Sequence, residues 1–276
     1  MKRREFLKTS VVASAASGLA ATAFSARASQ AANSANLEYY EMRSYRFKSD
    51  ATHALMHHYL EHALIPALNR LGSKPVGVFK QQERTTPPAK TEVRDANSMF
   101  VLIPYPSIEA FAMAGTRLAA DAEYLKAGAA YLGTTQAAPA YERIDVALMR
   151  AFTGLPKIEL QGYSKERKPR MFELRTYESH SEEKALKKIE MFNSGEIDVM
   201  REIGMAPVFY GQVLAGHDLP HLTYMLSAEN QEAHQKHWGA FGKHPTWNKM
   251  KDDPQYKDTV SQIHNRFVVP TAYSQI

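Results

Sequence analysis

A six-residue string near the start of the chain recurs 132 positions later. Tyr40-Glu41-Met42-Arg43-Ser44-Tyr45 matches Phe172-Glu173-Leu174-Arg175-Thr176-Tyr177. The same offset aligns Leu71-Gly72 with Ile203-Gly204, and Pro75-Val76 with Pro207-Val208. After a longer loop in the first copy, Glu83 to Asn97, the offset becomes 123. Met99–Ile103 then aligns with Leu222–Leu226, Glu109-Ala110 with Glu232-Ala233, and Tyr124 with Trp247. Separated matches at one offset require a fold built from two copies of one unit.

Each copy carries the same run of signals. A strand over 38–47, or 170–178, alternates apolar and polar residues. A helix follows over 51–71, or 182–203, ending at Gly72 or Gly204, where a left-handed C-terminal glycine is expected. Pro66 inside the first of these helices predicts a kink near Glu61–Ile65. A second strand starts after Pro75 or Pro207, and a third is Met99–Ile103 or Leu222–Leu226. A second helix opens after Ser107 or Ser227, with serine as the expected N-cap. The last strand lies near Ile144–Phe152 or Ile263–Val269. The order β-α-β-β-α-β is the ferredoxin-like split βαβ. The expected domains are a first repeat over 37–152, a linker over 153–169 rich in Gly, Pro and Lys/Arg, and a second repeat over 170–276. A sheet with helices on one face needs cover on the other. Two copies can supply it by packing sheet to sheet, which predicts an α+β barrel closed within one chain.

Residues 1–28 read as an export leader. Lys2-Arg3-Arg4-Glu5-Phe6-Leu7-Lys8 looks like a twin-arginine signal, followed by an uncharged, Ala/Ser-rich run from Thr9 to Ala26. Ala26-Arg27-Ala28 supplies the small residues a signal peptidase reads, so cleavage before Ser29 and a periplasmic location are expected. The alternative is an N-terminal anchor, at the lower length limit for a span and weakly apolar. The leader carries four of the formal net charges; subtracting them from +5 leaves +1 for the rest. That balance gives no basic surface for nucleic acid or anionic membrane. With no cysteine, disulfides, thiolate nucleophiles and Cys-ligated metals are excluded, and packing alone must hold an exported domain. Hydrophobic residues at 44% are enough for that core.

The repeated (Tyr/Phe)-Glu-(Met/Leu)-Arg-x-Tyr strand, the helices ending in Leu/Ile-Gly, and Trp238-x-x-Phe241-x-x-His244-Pro245-x-Trp247 together resemble the NIPSNAP family over about residues 37–276. The resemblance implies the dimeric α+β barrel superfamily, whose relatives include small monooxygenases, haem-degrading enzymes, chlorite dismutases and dye-decolorising peroxidases. It implies fold strongly and reaction weakly.

The strand motif supplies the first candidate residues. Glu41, Arg43 and Tyr45 share one face, as do Glu173, Arg175 and Tyr177. With the more apolar face under the helices, this polar face is expected to point into the barrel. Two readings stay open there. One is an ion-pair network that fixes how the halves dock. The other is a pocket in which Arg43 or Arg175 holds an acidic or carbonyl group and Tyr45 or Tyr177 donates a hydrogen bond.

On the second helix of the second copy, His234, Trp238 and Phe241 form an inward stripe where the first copy has Phe111, Gly115 and Leu118. His234 is read as a core histidine bonded to a backbone carbonyl, as a general acid/base, or as a haem or metal ligand. His237 stands three residues on as a possible support for it, and His244-Pro245-x-Trp247 is expected to start a short helix that packs Trp247. The candidate catalytic set is therefore His234, Tyr45 and Tyr177, and the candidate ligand-binding set is Glu41, Arg43, Glu173, Arg175 and Trp238. His53, His57, His58 and His62 do not converge on one helix face, so no metal site is expected from them.

No G-x-G-x-x-G, P-loop, G-x-S-x-G or H-E-x-x-H is present. The leading expectation is an exported protein that binds a small organic ligand in the barrel interior, with a cofactor-independent oxidation or isomerisation open and no cofactor expected. A haem enzyme using His234, and a non-catalytic protein interacting through its helical face, are the alternatives. Nucleic acid and stable membrane insertion after cleavage are not expected; a homo-oligomer stays open.

Overall fold

The alternating strand of the first copy becomes β1, Tyr39–Arg46, in a computed structural model that describes residues 37–47, 49–82 and 98–276. The leader, 1–28, lies outside the described residues. Helix α1 runs Asp50–Tyr59, widens through a π turn at Leu60–Leu64 and continues Ile65–Arg70. Then come β2 (Gly77–Gln81), β3 (Ser98–Tyr105), α2 (Ile108–Ala119) and β4 (Arg143–Ala151). The second half repeats the order with β5 (Met171–Glu178) and α3, which runs Glu182–Met191, a π turn Phe192–Glu196, and Ile197–Glu202. It ends with β6 (Ala206–Ala215), β7 (His221–Ala228), α4 (Gln231–Lys243) and β8 (Gln262–Pro270).

Gly72 and Gly204 end the long helices at φ 84° and 81°, a conformation that costs a side-chain-bearing residue free energy and glycine little. The π turn falls where Pro66 predicts a kink, and the second half has it at the equivalent place without a proline. The widened turn therefore belongs to the repeated architecture, and Pro66 is accommodated by it. Ser107 caps α2 by accepting from the Ala110 amide at 3.2 Å. The expected cap at Ser227 is corrected: Ser227 ends in β7, and Asn230 caps α4 by accepting from the Ala233 amide at 2.9 Å. Asn230 lies 123 residues after Ser107, and its carboxamide oxygen serves the orphan N–H as a hydroxyl does.

The strands close into one barrel in the order β1-β3-β2-β8-β5-β7-β6-β4. Each half forms a four-stranded sheet, and the halves join by hydrogen-bonded edges. β2 pairs with β8 (Phe79 opposite Pro270), and β4 with β6 (Arg150 opposite Gln212). Leu37–Ile276 is one compact unit, so the segments 37–152 and 170–276 share a body. The segment 153–169, expected as a linker, is pinned to it: the Glu38 amide donates to Pro156 O at 2.9 Å and the Glu159 amide to Val208 O at 3.0 Å. Ile158, Leu160, Leu37 and the buried Ile276 plug one end of the barrel.

Inside the barrel pack Tyr40, Met42, Phe79, Phe100, Met149, Phe172, Leu174, Phe209 and Met225. Outside it, α1 and α2 cover Tyr45, Val78, Val101 and Tyr105, while α3 and α4 cover Tyr177, Tyr210 and Tyr224. Among the described residues no helix is long and apolar enough to cross a membrane.

Phe79 meets Phe172 edge-on inside the barrel at 5.0 Å, across the seam between the halves. Phe79→Ala should lower stability by about 3–5 kcal/mol while unfolding stays a single transition. Urea melts followed by both tryptophan fluorescence and circular dichroism check this; two separated transitions would mean that the halves fold independently.

Candidate functional site

The polar strand face does not point into the barrel. Glu41, Arg43, Tyr45, Glu173, Arg175 and Tyr177 lie on the helix side, and their neighbours Tyr40, Met42, Phe172 and Leu174 point inward. The expectation fails because both faces of β1 and β5 are largely buried, so apolarity alone does not mark the helix side. At the level of Tyr40, Phe79, Phe172 and Phe209 the barrel interior is apolar, and a charge turned inward there would find no partner among the described residues. The helices do offer partners. β1 and β5 are also opposite one another in the barrel order, so each Glu–Arg pair forms within its own copy.

The second copy builds the fuller network. Glu173, 1% exposed, accepts from Arg175 Nη1 at 2.6 Å, Asn265 Nδ2 at 3.1 Å, Trp238 Nε1 at 2.9 Å and His234 Nε2 at 2.7 Å. Burial alone would raise its carboxyl, but the His234 hydrogen bond and the Arg175 charge outweigh burial and hold it down at about 2. A carboxylate only accepts, so His234 Nε2 carries a proton. The 3.0 Å between Trp238 Nε1 and His234 Nε2 is then two donors meeting over one oxygen. Arg175 lies over the Trp238 ring at 4.5 Å and donates to Tyr177 Oη at 3.1 Å, and Tyr177 Oη is 2.8 Å from Tyr224 Oη. In the first copy Glu41 accepts from Arg43 Nε at 2.6 Å and Tyr105 Oη at 2.8 Å, and Phe111 occupies the place of His234.

His234 thus bonds a carboxylate rather than the expected backbone carbonyl. Its position gives haem no opening: Nε2 is committed to Glu173, Nδ1 is buried, and the ring packs against Phe267 at 5.1 Å. His237, read as a support for His234, lies against Gly204; Trp247 packs on Phe241 at 4.4 Å from within the short helix Pro245–Lys251, as expected. His53 and His57 are half-buried, with His57 Nδ1 2.6 Å from Tyr273 Oη, and His58 and His62 face solvent. Among the described residues no cluster of three or more His, Cys, Asp or Glu could hold a metal.

The open space lies at the other end of the barrel from the plug, a cavity of about 710 Å³. Its floor is Met42, Phe100, Ala147, Met149 and Leu174. Its walls are the same inward faces continued toward the rim: Ser44 then Arg46 on β1, Thr176 then Glu178 on β5, Thr223 then His221 on β7, and Arg266 then His264 on β8. None of these was singled out from the sequence. The signal was available as a polarity gradient, since Met42-x-Ser44-x-Arg46 and Leu174-x-Thr176-x-Glu178 pass from apolar to charged along one face.

Several groups in the mouth are already paired. His264 Nε2 donates to Glu178 Oε1 at 2.7 Å, and His217 Nε2 is 3.4 Å from Asp145 Oδ1. His221 donates from Nε2 to the His217 carbonyl at 3.0 Å, and burial pushes its imidazole below the usual value. Thr176 and Thr223 hydroxyls meet at 3.0 Å, and Arg266 lies 5.6 Å over the Phe100 ring. A histidine held by a carboxylate beside a solvent-reached cavity is the arrangement of a general base.

Residues 172–275 match the NIPSNAP family. Among solved structures, the chain is similar to a candidate monooxygenase from Lactobacillus acidophilus NCFM, at 8% identity and TM-score 0.54, covering 85% of this chain and 94% of that one. A candidate monooxygenase from Fusobacterium nucleatum matches at 10% identity and TM-score 0.52, over 85% and 93%. A NIPSNAP family protein from Agrobacterium tumefaciens matches at 17% identity and TM-score 0.36, covering 43% of this chain and 96% of that one. No curated protein matches. The fold is an α+β barrel of the dimeric α+β type, here closed within one chain. Identities this low carry the fold alone.

The depressed Glu173 carboxyl has a signed consequence. Its folded value is below its unfolded one, so its stabilisation is complete above about pH 4.5 and is lost as pH falls toward 2. The loss is on the order of 3 kcal/mol. In Glu173→Gln this slope should vanish, on top of a uniform penalty from the unpaired Arg175. Denaturant melts of both proteins between pH 2.5 and 6 measure the difference; parallel curves would contradict the assignment.

Proposed function

We propose that this protein binds a small organic molecule in the mouth of its barrel, outside the cytoplasm. The observation that supports the reading is the 710 Å³ cavity, which joins an apolar floor to a rim of hydroxyls, imidazoles and guanidinium groups. Its volume is in the range that holds small ligands, about 300–1,000 Å³, and a few placed polar groups around an apolar floor fix orientation. The His264–Glu178 pair gives the site a proton acceptor of its own, so isomerisation or proton abstraction needs no cofactor. The helix-side cluster of Glu173, Arg175, His234 and Trp238 has a positioning role in this reading. It docks α4 on the sheet, and its saturated carboxylate leaves no place for a substrate. Because one chain closes its own barrel, the proposed site does not depend on a second copy.

Ala147 lies on the cavity floor. Ala147→Phe should fill it, abolishing retention of any small molecule seen by native mass spectrometry of the exported protein and leaving the circular dichroism spectrum unchanged. Retention of the same molecule by the filled variant would place binding elsewhere. Export itself is tested by replacing Arg3 and Arg4 with lysine, which should strand an uncleaved precursor in the cytoplasm. Mature protein reaching the periplasm at the normal level would reject the twin-arginine route.

A further inference from the structure

The charges around the mouth are unequally paired, and that inequality points to the class of ligand. Glu178 faces His264 at 2.7 Å and Asp145 faces His217 at 3.4 Å, so both wall carboxylates have a basic neighbour. Arg266 is engaged over Phe100. Asp218 stands at the exposed outer rim. Arg46 differs: it lines the cavity half-buried, makes no ion pair among the described residues, and its Nε is shut off from solvent without a hydrogen-bond partner among them. A guanidinium N–H in that state has lost its water without gaining a partner among the described residues, which is unfavourable unless a ligand completes it. Planar oxyanions match its fork of donors.

The same strand fixes what the rest of the ligand must be. Met42, Ser44 and Arg46 are successive inward residues of β1. At about 3.3 Å per residue, Arg46 stands roughly 13 Å from the Met42 floor. The floor at that depth is Met42, Phe100, Met149 and Leu174, and among the described residues Arg266 is the one charged side chain that lines the cavity near it. We propose that the cavity takes a monoanionic organic acid, its carboxylate on Arg46 at the rim and an apolar body of ring or short-chain size on the floor. The inference rests on the barrel-mouth reading and adds the chemical class of the ligand. It also puts the acid's apolar body in the same hollow as the His264–Glu178 pair.

The test is calorimetric titration of the exported protein with benzoate, 3-phenylpropanoate and octanoate, each against its primary amide, in the wild type, Arg46→Gln and Arg46→Lys. A charge-assisted, bidentate contact predicts that each acid binds at least about tenfold more tightly than its amide. The gap should close in Arg46→Gln and reopen partly in Arg46→Lys, with amide affinity changing far less than acid affinity; a circular dichroism spectrum matching the wild type shows that the variants are folded. Equal affinity for acid and amide in the wild type, or a gap that survives Arg46→Gln, overturns the anion inference while the cavity still binds. If neither acids nor amides bind, the barrel-mouth reading fails and the inference falls with it.

Discussion

Two edge pairings, β2 with β8 and β4 with β6, decide what every other residue faces. Without them the chain would be two open sheets, each with helices on one side and an apolar face exposed on the other. With them the strands turn one face to the barrel interior and the other outward, largely under helices, and among the described residues no edge of the barrel sheet remains for another chain to extend. The seams are held by more than backbone. Phe79 reaches Phe172 across one, and Arg150 donates to the Gln212 carboxamide at 2.9 Å across the other.

Closure also separates two kinds of polar group. On the helix side, Glu173 sits among four donors drawn from β5, α4 and β8, and its charge is satisfied where it stands. A network so complete fixes the position of α4 and resists change. Inside the barrel, polarity is graded along the axis: sealed by Leu37, Ile158, Leu160 and Ile276 at one end, apolar through the middle, and polar at the open end. A hollow with an apolar floor and a polar rim has the polarity profile that an amphiphilic small molecule would match. The two halves differ within this frame, with His234 in place of Phe111 and the buried Lys188–Glu196 pair, at 2.7 Å, where the first half has Met56 and Leu64.

Much of this was legible in the chain. The 132-residue repeat set the element order, the capping glycines at 72 and 204 held their places, and the stripe His234, Trp238, Phe241 does face the sheet. The facing of the motif strand was not legible. Tyr40-x-Met42 and Phe172-x-Leu174 look as suitable for a helix-covered face as for a barrel interior, because period-2 alternation separates two faces without naming them. The choice is made by partners from distant elements, such as Asn265 and His234 for Glu173, which only closure brings near. Ser227 failed as a cap because a cap depends on where β7 stops, and the 123 offset from Ser107 pointed to Asn230. The mouth residues were passed over because each is an ordinary surface type in isolation; their meaning comes from sharing an inward face with Met42 or Leu174.

The central claim is that ligand enters the barrel, and that the conspicuous Glu/Arg/Tyr face beneath the helices does not receive it. A crystal of the exported protein soaked with 4-bromobenzoate tests this most directly, because bromine can be placed by anomalous scattering. The account predicts a bromine peak on the floor among Met42, Phe100, Met149 and Leu174. A peak beneath α4, beside Arg175 and His234, would contradict it.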